Sequence, residues 1–344
     1  MTPGRAARGH TRGRRRRSEA GLGWLPVTSS APHRLPVGVA LGGAVLVGVL
    51  TAIQARINGQ LGLRIGDGFV AAVISFGSGL VVLLILSAAL PAGRRGARAL
   101  GAGIRRRTIP WWMLLGGLAG ALTVATQGLA VAIIGVSLFT VGVVAGQTLS
   151  GLVLDRMGYG PAGVVAVAVP RVVGGALALV AVAISLQGGV LERVPLWMLV
   201  LPVLTGIGIA WQQATNGRLR QRVSTPLTAT LVNFIGGTIV LAIAAAIHVA
   251  IVGMPAGLPT EPWLYLGGVL GVTYIFLSAA LVVHTGVLIL GLGAVAGQLV
   301  TAFTLDALWP ADAGPGWLVE LLTVVVAAGS VVVAAAPWQR RVRG

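Results

Sequence analysis

Chemistry in this sequence is confined to a few amides and acids set among apolar residues. Gln54 and Asn58 lie in LTAIQARINGQLG, which begins at Leu50; Gln212 and Asn216 lie in IAWQQATNGRLRQ, which begins at Ile209. Residues four apart share one face of a helix, so each Gln–Asn pair points one way. An amide in hydrocarbon costs free energy unless it is hydrogen-bonded. Both pairs must therefore face other helices or a wet cavity. Gln54 and Gln212 are expected to bind substrate. Asn58 and Asn216 each precede a glycine, a helix-stop signal, so they are read first as caps and second as substrate ligands.

Ser75 and Asn233 fall mid-span and are expected to add hydrogen bonds to the same site. Gln147 and Gln298 end GVVAGQ and GAVAGQ, whose G-x-x-x-G spacing lets helix backbones approach closely. They either bond across that packing or line a cavity. Asp155 and Asp306 are acids in matching positions near span ends. Carboxylates at membrane depth are rare and point to function. For Asp155, with Arg156 and Arg171 within reach, a structural ion pair is weighed ahead of ion coupling. His248 and His284 have no matching histidines and could carry protons; a lone histidine near a helix end is more simply solvated.

Other chemistry is excluded by absence. The chain has no cysteine and every basic side chain is arginine, which removes thiol chemistry and the P-loop lysine. No H-E-x-x-H or G-x-S-x-G is present, and no G-x-G-x-x-G follows a strand to make a dinucleotide-binding fingerprint. The expectation is no enzyme, no cofactor and no metal.

What must position these groups is a set of membrane helices. Of 344 residues, 56% are hydrophobic and 10% charged, whereas soluble domains are about one quarter charged. A bilayer span needs about 20 mostly apolar residues. Apolar runs bounded by Pro, Gly or charge predict ten: 36–56, 68–90, 110–131, 135–154, 168–187, 195–215, 226–252, 262–283, 285–305 and 317–336. Trp111, Trp112, Trp263, Trp309, Trp317 and Trp338 lie near span ends, as an interfacial aromatic belt does.

The chain also repeats itself. A shift of 158 positions carries Gly48, Gln54, Asn58, Gly59, Phe76 and Gly79 onto Gly206, Gln212, Asn216, Gly217, Phe234 and Gly237. Past the next loop a shift of 151 carries Trp112, Gly116, Gly120, Gly135, Gly146, Gln147 and Asp155 onto Trp263, Gly267, Gly271, Gly286, Gly297, Gln298 and Asp306. Matching Gln, Asn and Asp at fixed offsets is hard to obtain from composition alone. The predicted fold is therefore all-α and integral to the membrane, with ten transmembrane helices as two five-helix repeats, 36–190 and 191–338. Five is odd, so the repeats have inverted topology.

The net charge of +17 could suggest nucleic acid, but the arginines sit in an N-terminal arm and in alternate short loops. That is the positive-inside pattern, and it places both termini inside. Arg56 and Arg64 run against it; Arg56 is expected to snorkel to the interface. Residues 1–35 lack apolar periodicity and read as a disordered arm, with 339–344 as an inner tail.

Q-x-x-x-N-G-x-L followed by A-x-x-x-x-F-x-x-G, present twice, resembles the YdcZ-type exporters of the drug/metabolite transporter superfamily. So does AGQTLSGLVLDRMG followed by Arg171 at the start of the next span. The similarity runs over roughly residues 36–336. It implies a fused pair of antiparallel five-span units that export small molecules on an ion gradient. Two departures stand out: Arg171 has no counterpart near Glu320, and Gln54 and Gln212 occupy the region where the superfamily's small multidrug pumps carry a glutamate. The resulting expectation is a secondary exporter of a small organic metabolite or drug in the bacterial cytoplasmic membrane. Its partners would be that solute, the lipid bilayer and, as a homodimer, a second copy, with no nucleic acid. The competing reading is a lipid-handling protein or a non-transporting scaffold.

Overall fold

A computed structural model describes residues 36–160, 164, 169–187, 189–255, 257–310 and 316–335. The arm at 1–35, the tail at 339–344 and the side chains of Arg171 and His284 lie outside that set. Every regular element described is helical: α1 Val37–Ile65, α2 Gly68–Ala89, α3 Pro91–Arg105, α4 Gly116–Thr126, α5 Ala132–Ile134, α6 Val136–Arg156, α7 Val169–Ser185, α8 Val190–Arg193, α9 Leu196–Val223, α10 Pro226–Val252, α11 Gly267–Leu308 and α12 Trp317–Ala335. A π-helical turn, Gln127–Val131, joins α4 to α5.

Local chemistry sets the boundaries. Gly66, at φ 74°, ends α1 and donates its N–H to Gly62 O at 3.0 Å. Asp67 then caps α2, accepting from Phe69 N at 2.8 Å and Val70 N at 3.0 Å. Proline stands at the first position of α3 and of α10, where its missing N–H costs nothing. Helix α3 turns Gly93 and Gly96 inward and Arg94, Arg95 and Arg98 outward, so it is a surface helix despite lying between two apolar ones.

Among the described residues, seven helices are long and apolar enough to cross a membrane: 41–65, 68–89, 111–134, 136–156, 196–223, 226–252 and 262–281. Three shorter apolar helices cover 172–185, 293–308 and 317–330. Three boundaries differ from the sequence expectation. Asn58-Gly59 and Asn216-Gly217 do not stop their helices, which run on to Ile65 and Val223. Gly59 serves instead as a contact point, since a Cβ there would sit 3.0 Å from Ala132 N. The expected interruption between 283 and 285 is absent as well, because α11 is continuous for 42 residues. The matching position in the first half does break, at Gly135, with φ 86° and ψ 160°.

Packing between the halves recurs at the offsets read from the sequence. A Cβ on Gly146 would meet Val203 O at 2.0 Å, and one on Gly206 would meet Val143 O at 2.1 Å, where α6 crosses α9. Where α11 crosses α1, a Cβ on Gly297 would meet Val45 O at 2.1 Å and one on Gly48 would meet Ala294 O at 1.8 Å. Both crossings bring backbone onto backbone, which only glycine permits. Phe76 and Phe234 stack between them at 4.6 Å and 22°, within an apolar cluster that includes Val124, Leu231 and Val272.

Candidate functional site

The repeated amides lie where the two halves of the chain meet. Gln54 donates its Nε2 to Gly267 O at 2.8 Å, and a Cβ on Gly271 would come within 2.5 Å of that nitrogen. Asn58 lies beside Gly267 too, with Ser75 against the same glycine. Asn58 donates Nδ2 to Gln127 Oε1 at 2.7 Å. Gln127 opens the π-helical turn, and this local widening carries its amide to Asn58; such bulges often mark functional sites.

The second set mirrors the first. Gln212 donates Nε2 to Asn233 Oδ1 at 3.0 Å. A Cβ on Gly120 would sit 2.9 Å from both of those atoms, and one on Gly116 would sit 2.5 Å from Asn216 Oδ1. So Gln54, Asn58 and Ser75 of the first half rest on Gly267 and Gly271 of the second. In return, Gln212, Asn216 and Asn233 rest on Gly116 and Gly120 of the first. The Phe76–Phe234 stack lies against both glycine pairs, with Phe76 beside Gly120 and Phe234 beside Gly271.

Apart from half-buried Asn216, these amides are buried, yet not fully bonded. Gln54 Oε1, Asn58 Oδ1, Ser75 Oγ, Gln127 Nε2 and Asn233 Nδ2 have no hydrogen-bond partner. Leaving a buried polar atom unpaired costs about 1–3 kcal/mol, so a purely structural role would be an expensive one. Gln147 and Gln298 stand apart from both sets. Gln147 reaches Gln213 Oε1 at 3.4 Å on α9, and Gln298 is buried where α11 crosses Gly48. A cavity of about 260 Å³ lies elsewhere, between α6, α7 and α9, and is lined by Leu138, Gly142, Val182 and Pro202 among others. Its walls are nearly all apolar, and none of the repeated amides borders it.

The acids separate in the same way. Asp155, in the last turn of α6, is half-buried and engaged in an interaction. Arg171 belongs to α7. Asp306 is buried and caps α6 across the halves, accepting from Val136 N at 3.0 Å and Ser137 N at 2.6 Å just past the Gly135 break. Arg56 does not snorkel: its Nη1 lies 4.0 Å from Asp306 Oδ1, and only 13% of its side chain is exposed. The buried carboxylate draws it inward. His248 pairs with Asp67 at 2.9 Å, tying the end of α10 to the start of α2. No cluster of three metal-ligating side chains occurs among the described residues.

The family model described as "Putative inner membrane exporter, YdcZ" matches residues 39–184 and again 197–333. The chain belongs to the YdcZ family. No curated protein matches it. The double match makes this YdcZ chain a multi-pass membrane protein of exporter type. Sequence reasoning passed over three of its polar side chains: Gln127, Glu320 as a site residue, and Arg56 as a buried one. Each was visible as a polar residue within an apolar helix, but Gln127 and Glu320 lack counterparts at the repeat offsets and Arg56 looked interfacial.

Proposed function

We propose that this YdcZ protein is a secondary transporter that exports a small, uncharged polar organic solute across the cytoplasmic membrane by alternating access. Its frame would be ten spans in two inverted five-helix repeats, 36–190 and 191–338, with both termini inside. Seven long and three shorter apolar segments occur among the described residues; two of them, 262–281 and 293–308, share the continuous α11, so ten spans require that helix to break between them. The paired crossings at Gly146/Gly206 and Gly297/Gly48 support the repeat. Transporters built from inverted repeats bind near the repeat interface and rock one half against the other.

The reciprocal seating of amides on glycines carries this reading. Each amide set belongs to one half and rests on the other, so rocking would lift it from its glycines. The atoms then available are acceptors at Gln54 and Asn58 and donors at Gln127 and Asn233, none paired with a partner now. Among the described residues, no charged side chain hydrogen-bonds them, which favours an uncharged solute.

The test is comparative exometabolomics in a host stripped of its own exporters. Wild type is compared with Gln54→Ala/Gln212→Ala at matched membrane levels. One solute should accumulate outside with the wild type alone. Equal accumulation with the folded double variant would remove the amides from the site.

A further inference from the structure

A second group of polar side chains sits at the Gly135 break, away from the amides. Arg56 comes from α1, Asp306 from α11, Ser137 from α6 and Glu320 from α12. Glu320 is 9% exposed and turned toward Ser137 and Asp306, and its Oε1 has no hydrogen-bond partner. Asp306 already spends one oxygen on each of two backbone N–H groups. Arg56, the nearby cation, is too far from Asp306 at 4.0 Å for a hydrogen bond. Among the described side chains, α6 and α7 add no further charge beside this group.

The charge balance decides what the cluster needs. Two carboxylates against one guanidinium leave a net negative charge in an apolar interior. Uncompensated charge there is costly, and two carboxylates in one site favour holding a proton between them. A metal cation fits poorly, because Arg56 repels it and few oxygens are free; hard cations want six or more oxygen ligands.

We propose that Glu320 and Asp306, framed by Arg56 and Ser137, form a one-proton site that couples proton entry to movement at the Gly135 break. The proton resides on Glu320 and is shared toward Asp306, whose remaining capacity holds the α6 cap. Its route to the aqueous face is short if α12 spans the membrane as expected, since Glu320 lies in the first turn of that helix. Loss of that proton turns two negative charges on each other, and the yielding element is the capped break. The site is single: the repeat offsets place Ala214 opposite Arg56 and Val169 opposite Glu320. Matched Asp155 therefore lacks the equivalent arginine and glutamate. The coupling role rests on the transport reading, whereas the proton site stands without it.

The test uses the full chain in lipid vesicles and needs no substrate. Infrared difference spectra against pH should show a protonated-carboxyl stretch in the wild type. That stretch should be lost in Glu320→Gln, retained in Asp155→Asn, and unchanged when sodium replaces potassium. Proton uptake per chain should fall by one in Glu320→Gln. Glu320→Gln keeps the side chain's volume, so it serves even where Asp306→Asn weakens the α6 cap too far to fold. A stretch absent from the wild type, or retained in Glu320→Gln, or displaced by sodium, overturns the proposal. A titrating Glu320 in a protein that exports nothing keeps the proton site and removes the transport reading.

Discussion

Gly146→Ala tests whether the halves truly meet backbone to backbone. The added Cβ would lie 2.0 Å from Val203 O, and real Cβ atoms essentially never come closer than 3.0 Å. The difference, 3.0 − 2.0, means α6 and α9 must part by about 1 Å at their crossing. No rotamer relieves a clash with a carbonyl, so the cost falls toward the upper end of the overpacking range, about 3 kcal/mol. A gap of that width also forfeits a quarter to a half of the dispersion energy of the atoms it separates. Alanine returns about 1 kcal/mol of helix propensity, leaving a net loss of about 2 kcal/mol. Gly151 provides the control, since it lies on the same helix with nothing within 4 Å of its Cβ position. Gly151→Ala should gain about 1 kcal/mol. The assay is the thermal midpoint of monodisperse protein in detergent, read as a ranking because such unfolding is irreversible. Gly146→Ala should fall below wild type and Gly151→Ala should not. Gly297→Ala, at the paired crossing, should fall with Gly146→Ala. Equal midpoints for Gly146→Ala and Gly151→Ala would refute the crossing. A drop at Gly146 without one at Gly297 would refute the pairing of crossings.

Two further outcomes follow from polar contacts at the loop end of α1. Asp67→Ala removes two cap hydrogen bonds and the partner of His248, so the midpoint should fall by the equivalent of about 1–2 kcal/mol, with Asp67→Asn recovering much of it. Arg64→Ala breaks the 3.0 Å pair with Glu261, but the two side chains are 57% and 37% exposed. The loss should stay below about 1 kcal/mol and vanish in high salt.

Much of the architecture can be read from one dimension. Apolar length dictates spanning helices because lipid offers the backbone no hydrogen bonds. The offsets of 158 and 151 follow from Gln, Asn, Gly and Asp matches alone, and the family match to two segments agrees with where they fall. Gln54 and Gln212 declared themselves buried because hydrocarbon penalises an unpaired amide. Partner identity did not follow from the sequence. That Gln54 meets Gly267 rather than its own half depends on how helices cross. Asn58-Gly59 signals a helix end by propensity, yet packing against Gln127 and Ala132 carries α1 past it. Arg56 looked interfacial until Asp306, 250 positions later, came to within 4.0 Å. Sequence fixes which side chains cannot face lipid, since that is a property of each residue. Only the tertiary structure decides which of them face each other, since that depends on crossings made possible by glycines far apart in the chain.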